Sequence, residues 1–305
     1  MVFGKPALAV ALDLPMRLSA RPAEQWTLDG RPFSRKRRSY LTAALASSHH
    51  GGPLALDVRS NIPVASGLGS SAAITCATIA AGLQLSGSPW GAEDVARAAF
   101  EVEFEVQGAA SPTDTSTIAR GGAVLLTQDV AGAEPPWKGA STLLWSLQRG
   151  ERRWDVHSLK VPSISLVIGH TGARGRTSDL VASVRRAVAA SPTASAAIDR
   201  IAALTAEGAA ALAKGDLATV GSLMDENHGL LRDLGVSHPS LERLVEAVRP
   251  KALGAKLTGA GGGGSMLALT EDPEAVARAM VRAGGTPYVV EVEHRGVHAV
   301  PESAG

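Results

Sequence analysis

Two glycine-rich stretches and a few carboxylates are the residues of this chain whose types suggest chemistry. In NIPVASGLGSSAAITCATIAAG, Asn61 to Gly82, a proline comes first, two glycines flank a leucine, two serines follow, and then come small and apolar residues. That order predicts a strand end, a tight turn and the first turns of a buried helix. Unpaired N–H groups at a helix start and the positive end of its dipole make an anion site, and glycine lets backbone approach phosphate oxygens without a Cβ in the way. The second stretch, KLTGAGGGGSMLAL, puts five glycines in the six positions Gly259 to Gly264. Alone it reads equally as a hairpin or a flexible loop, but two such loops in separate halves point to a ligand gripped between domains. AFEVEFEVQGAASPTDTSTIARGG, Ala99 to Gly122, carries the carboxylates. Glu101, Glu103 and Glu105 alternate with apolar residues at a helix end, and a solvated role suits Glu101 and Glu105. Asp114 differs, because it follows Pro112-Thr113 in a small-residue loop entering a buried strand.

Taken alone, GLGSSA (Gly67 to Ala72) also fits the Gly-x-Gly-x-x-Gly/Ala pattern of dinucleotide-binding proteins. That version belongs in the first βαβ unit, with an acidic residue about 20 positions on at a strand end. Glu93 and Asp94 fall near that distance but at a helix start, where acidic residues are ordinary. No Gly-x-x-x-x-Gly-Lys-Ser/Thr run occurs, so this is not a P-loop protein. A nicotinamide-dependent dehydrogenase stays open at this point. Other reactive side chains read more simply. Arg35 to Arg38 form a solvated helix start, and His49 and His50 lie in a loop without metal-ligand spacing. Thr177 is an N-cap candidate, Arg120 a surface arginine, and Asn227 to His238 core packing beside the second glycine loop.

The chain has 305 residues, enough for two ordinary domains or one large one. It is 45% hydrophobic and 19% charged, as globular proteins are, and only 4% aromatic, so the core is Ala, Val, Leu and Ile. A net charge of +1 supplies no field to attract nucleic acid or an anionic membrane. The single cysteine, Cys76, excludes an internal disulfide and a multi-cysteine metal site. No apolar run reaches the roughly 18 residues of a membrane span, and MVFGKPALAVALDLPMRL lacks the basic region and cleavage site of a signal peptide. A cytoplasmic protein is expected, with neither nucleic acid nor membrane as partner.

The elements that must position these residues follow from patterning. Strands are expected at PALAVALDL, LALDVRS, GGAVLLTQ and SISLVIGHT, on both sides of the second glycine loop, and at TPYVVEVEHRGVHAV. Helices are expected at Ser71 to Leu85, Ala92 to Gln107, Thr177 to Ala190, Thr193 to Lys214, Asp216 to Leu234, Pro239 to Val248 and Pro273 to Ala283, with a loop at Asp129 to Ser141. Strands and helices without strict alternation indicate an α+β protein in two halves, divided near residue 155.

Pro63 to Ala73 match in full the motif Pro-x-x-x-Gly-Leu-Gly-Ser-Ser-Ala-Ala, and Lys256 to Gly264 match Lys-Leu-Thr-Gly-Ala-Gly-Gly-Gly-Gly. On these motifs the chain resembles the GHMP small-molecule kinases over essentially its whole length. It is most similar to the archaeal-type mevalonate kinases, through ASPTDTS around Asp114, HTGARGRTSDLVASVR around Thr177 and NHGLLRDLGVSHPSLERL from Asn227. The resemblance implies a ribosomal-protein-S5-like ATP-binding domain over 1–155 and a ferredoxin-like domain over 156–305. It implies ATP and Mg²⁺ as cofactors, phosphorylation of mevalonate at its 5-hydroxyl in isoprenoid synthesis, and a homodimer. It assigns the ATP site to Pro63, Val64, Ala65, Ser66, Gly67, Leu68, Gly69, Ser70, Ser71, Ala72 and Ala73, and to Gly259, Ala260, Gly261, Gly262 and Gly263 in a loop closing over the phosphates. Ser71 and Glu103 match the family's Mg²⁺ ligands, Asp114 its catalytic aspartate, and Thr177 a residue bordering the site. Phosphoryl transfer needs charge neutralisation and an in-line alcohol, which these residue types supply.

The family's first motif, Pro-Gly-Lys then Gly-Glu-His-Ala-Val-Val, precedes the Gly-Lys-x-Ala-Leu-Ala-Val that Gly4 to Val10 match, and Met1 falls inside that region. A start upstream of Met1 is therefore expected, supplying a lysine near the catalytic aspartate, a glutamate–histidine pair of the substrate pocket and a strand for an otherwise unpaired sheet edge. An inactive nucleotide-binding form is the alternative. Phosphomevalonate kinase, mevalonate 3-kinase and mevalonate diphosphate decarboxylase are the rivals within the superfamily.

Overall fold

The computed structural model describes residues 3–34, 39–64, 66–108, 110–128, 137, 139–173, 175 and 177–300. They form two compact units that interleave along the chain. One holds Met1–Leu8, Pro63–Leu68 and Leu125–Val292; the other holds Ala9–Ile62, Gly69–Val124 and Glu293–Gly305. The chain passes from one unit to the other at Leu68–Gly69, inside the first glycine stretch.

In the second of these units, β2 (Met16–Pro22), β5 (Leu54–Ser60), β3 (Thr27–Leu28) and β4 (Arg31–Pro32) form a sheet in that order, antiparallel except where β3 meets β5. Met16, Leu18 and Ala20 alternate with exposed Arg17, Ser19 and Arg21, the pattern of a half-buried strand. Leu18 and Ala20 pack on Leu45, Leu54 and Leu56. The helices are α1 (Tyr40–Ser48), α2 (Ser70–Leu85), α3 (Ala92–Gln107) and α4 (Thr113–Arg120), packed on one another. Because α2 is small and apolar on nearly every side, it is buried on nearly every side. Its buried Thr75 and Thr78 donate to the carbonyls of Ser71 and Ile74 one turn back. A Cβ on Gly82 would lie 2.3 Å from Ser48 Oγ, so glycine sets how closely α1 and α2 approach. Patterning missed α1 and α4. The Thr/Ser-rich α4 has weak intrinsic propensity and forms by packing against α3. Asp114 thus stands in a helix's first turn and not in a loop.

β1 (Ala7–Val10), β6 (Ala123–Gln128), β8 (Arg152–Leu159) and β7 (Ser141–Arg149) make one sheet; β7 and β8 lie wholly in the other unit, and the chain leaves that unit within β1 and returns to it within β6. A second is ordered β10 (Gly254–Leu257), β11 (Ser265–Thr270), β9 (Ser165–His170) and β12 (Thr286–Val290). The β7–β8 hairpin, with a bulge between Leu143 and Trp145, is a further element that patterning missed. Most of the loop expected at Asp129 to Ser141, and Arg35 to Arg38, lie outside the described residues. The helices are α5 (Thr177–Ala190), α6 (Pro192–Lys214), α7 (Leu217–Asp233), α8 (Pro239–Val248) and α9 (Pro273–Arg282). Proline in the first turn and Ser191, His238 and Asp272 as caps define the starts of α6, α8 and α9. α8 and α9 bury Leu241, Leu244, Val248, Val276 and Met280 against Val167, Ala255, Leu257 and Met266 of the second sheet. Among the described residues no helix is long and apolar enough to cross a membrane.

Candidate active site

The first glycine stretch ends as the cap of α2. Gly69 has φ +70°, in the left-handed region that costs a residue with a Cβ about 1–2 kcal/mol. No side chain caps this helix start, so the first-turn N–H groups, from Ser70 to Ala72, lack an intrahelical partner. Glu103 on α3, only 5% exposed, accepts a hydrogen bond from Ser71 Oγ at 3.0 Å. Asp114 on α4 holds Oδ2 3.5 Å from where a Cβ on Gly69 would lie, and its side chain is exposed. Glu101 and Glu105, one turn apart, are exposed too; Glu103 between them points inward, as the helical period requires. Tyr40 lies beside the cluster: burial and then the Glu103 charge raise its pKa, opposed by the Gln107 and Ser71 side chains. No sequence signal marked it, since a tyrosine heading an Ala/Leu-rich helix reads as packing.

Burial raises the pKa of Glu103, the Asp114 charge raises it further, and the Ser71 hydrogen bond opposes both, leaving it at about 7. Desolvation by the protein packed around Asp114 raises its pKa too, although the residue as a whole is exposed. Two neighbouring carboxylates and a hydroxyl are hard oxygen donors with excess negative charge, a set that fits Mg²⁺. Among the described residues no three His, Cys, Asp or Glu side chains form a metal cage.

The second glycine loop joins β10 to β11. Ser66, Gly67, Gly175, Thr258, Ala260, Gly261, Gly263 and Gly264 line one small polar cleft. Ser66 Oγ is buried there without a hydrogen-bond partner among the described residues, as a polar atom awaiting a ligand would be. A Cβ on Gly259 would lie 3.0 Å from Gly67 O, so the two stretches approach backbone to backbone. The flexible-loop reading is corrected by the bracing. Gly262 N–H donates to Val236 O and Gly264 N–H to Ala173 O, both at 2.8 Å, while Thr171 Oγ1 donates to Gly264 O at 2.8 Å. Side chains would collide with these braces: a Cβ on Gly261 would lie 2.0 Å from Val236 O, on Gly262 2.7 Å from Leu180 Cδ1, and on Gly263 2.8 Å from Ala173 O.

Of the residues assigned to the nucleotide, Ser70, Ser71, Ala72 and Ala73 begin α2, and Ser66, Gly67, Ala260, Gly261 and Gly263 line the cleft. Pro63 and Leu68 are half-buried and Val64 exposed; Ala65 lies outside the described residues. Of Thr177 the helix backbone alone is described.

A model of the GHMP kinase N-terminal domain matches residues 38–122, and one of the GHMP kinase C-terminal domain matches residues 209–286. The first range holds Gly67–Ser71, Glu103 and Asp114, and the second holds the Gly259–Gly264 loop. The chain belongs to the GHMP kinases. Among curated GHMP relatives, the mevalonate kinase of Thermococcus sibiricus is 34% identical over 97% of this chain and 92% of its own. That of Thermococcus gammatolerans is 36% identical over 81% of this chain and 69% of its own. The crystal structure of L. major mevalonate kinase in complex with R-mevalonate shares the GHMP fold, with a TM-score of 0.74 and 23% identity over 98% of this chain and 92% of that one.

Proposed function

We propose that the chain transfers the γ-phosphoryl group of ATP to the 5-hydroxyl of (R)-mevalonate, a step of isoprenoid biosynthesis. The observation that carries this reading is the Asp114 carboxylate, exposed beside the open N-terminus of α2 and electrostatically coupled to the Ser71–Glu103 pair. The open start of α2 offers backbone N–H groups to phosphate oxygens. Ser71 and Glu103 would hold Mg²⁺, which supplies charge neutralisation on the phosphates. Asp114 orients the alcohol and takes its proton as the oxygen bonds to phosphorus and the bond to ADP breaks. Mevalonate as the acceptor is supported by the relatives above, all mevalonate kinases.

We also propose a cytoplasmic homodimer and retain the division near residue 155 as the boundary between the two family domains. ADP release from Mg²⁺-ATP with and without mevalonate tests the reaction. Release that depends on mevalonate supports it, and release dependent only on phosphomevalonate or on another alcohol overturns it. Sedimentation velocity tests the dimer.

A further inference from the structure

We infer that His228 is a positioning residue: through the edge strand β10 it holds the second glycine loop in the shape that receives the phosphates of ATP. The inference rests on the proposed role of that loop.

β10 pairs with β11 on one side only, which leaves outward N–H groups that a buried edge must satisfy. Helix α7 covers them. Gly221, Asp225 and His228, spaced i, i+4 and i+7, share one helix face. Gly221 and Gly254 allow contact, since a Cβ on Gly221 would lie 2.2 Å from Leu253 O and a Cβ on Gly254 2.0 Å from Gly221 O. Ala255 N–H then donates to Asp225 Oδ1 at 2.9 Å, and Leu257 N–H to His228 Nδ1 at 3.2 Å. Two side chains of one helix thus take the place of a neighbouring strand.

His228 does more than cover the edge. It is fully buried, and its Nε2 lies 3.0 Å from Glu242 Oε1 on α8, close but not aligned as a hydrogen bond. Glu242 Oε1 also accepts from Ser237 Oγ, and the preceding residue, Val236, accepts the Gly262 N–H. The circuit closes on the loop. His228 fixes its entry at Leu257, Val236 fixes its tip at Gly262, and Glu242 with Ser237 ties the two fixing points together. Because Nδ1 accepts, the imidazole is neutral with its proton on Nε2, toward Glu242. Burial and the charges of Arg249 and Lys256 favour that neutral form, while Glu242 opposes them. Asp225, the other charged group on this face of α7, is engaged by Ala255 N–H. An apolar residue of similar size would fill the space but could not accept the Leu257 N–H.

Three variants separate the roles. His228→Asn keeps an acceptor near the Nδ1 position. His228→Gln carries its amide to the Nε2 position and loses the Nδ1 acceptor. His228→Leu keeps neither. Each is measured for its melting-temperature rise with Mg²⁺-ATP and for KM towards ATP and mevalonate separately. Glutamine and leucine are expected to weaken ATP about tenfold, the equivalent of one lost buried hydrogen bond, with the KM for mevalonate unchanged and with asparagine restoring ATP affinity. Unchanged ATP affinity in the glutamine variant overturns the inference. So does equal weakening of both substrates in all three variants, which a general loss of stability would cause. If His228→Leu does not fold, the asparagine–glutamine pair decides. If the unaltered chain shows no ATP-dependent melting shift, the phosphate reading of the loop fails, and the inference with it.

Discussion

The two glycine stretches share a composition and differ in what glycine does. At Gly69 the demand is conformational: the residue is left-handed and a Cβ would meet Asp114 at 3.5 Å, an ordinary contact. At Gly261 to Gly263 the demand is spatial as well, because backbone and side-chain walls stand 2.0–2.8 Å from where a Cβ would go. The first stretch ends at an uncapped helix start, and its glycine serves the turn that leads into it. The second is a clamped hairpin whose glycines serve the fold first. One residue type signals both, and only its neighbours distinguish them.

The largest expected effect is chemical. Asp114→Asn should lower turnover by about 10²–10⁴, the usual weight of a positioned acid–base group, while the melting shift with ATP persists; unchanged turnover would remove Asp114 from its role. The two glycine types are contrasted next. Gly261→Ala should cost at least about 3 kcal/mol, since left-handed strain adds to a displaced backbone and a lost Gly262 hydrogen bond. Gly69→Ala should cost only about 1–2 kcal/mol of stability while lowering ATP affinity. Denaturant midpoints and ATP titrations read both, and equal stability losses would erase the contrast.

Glu103 sharpens the comparison through pH. Its pKa rises from 4.5 in the unfolded chain to about 7 in the fold, so the folded state binds its proton more tightly. Its contribution to stability is therefore fully present below pH 4.5 and lost as pH rises through about 7. Glu103→Gln should flatten that slope in melting scans without Mg²⁺ and melt higher than the unaltered chain above pH 7. It should also raise the Mg²⁺ concentration needed for half-maximal activity by at least about tenfold, since even groups behind a metal ligand carry that much. A stabilised yet weaker enzyme is the expected signature of a site held under electrostatic strain. The smallest effect belongs to a glycine with open space. Gly215→Ala at the end of α6 meets nothing within 4 Å and should cost about 1 kcal/mol, with kinetics unchanged.

Local chemistry carried far in the sequence. Patterning marked α3, α5, α6, α8 and α9, and the glycine runs marked the turn before α2 and the hairpin between β10 and β11. Each of those signals is written within a few residues of where it acts. Others depended on partners distant in the chain. The weak helix α4 formed against α3 and α2, which put Asp114 in a helical turn. Glu103 became the buried member of three alternating glutamates because the helix turned it towards Ser71, thirty-two positions away. Tyr40 joined the same cluster from a helix that patterning did not mark. His228 and Asp225 found their acceptor roles because β10 lies at a sheet edge with α7 along it. The sequence by itself determined the family, the two glycine turns and the candidate carboxylate; the tertiary structure decided which carboxylate is buried, which glycine loop is braced and what holds it. Burial and edge satisfaction are properties of packed neighbours, and no local pattern encodes them.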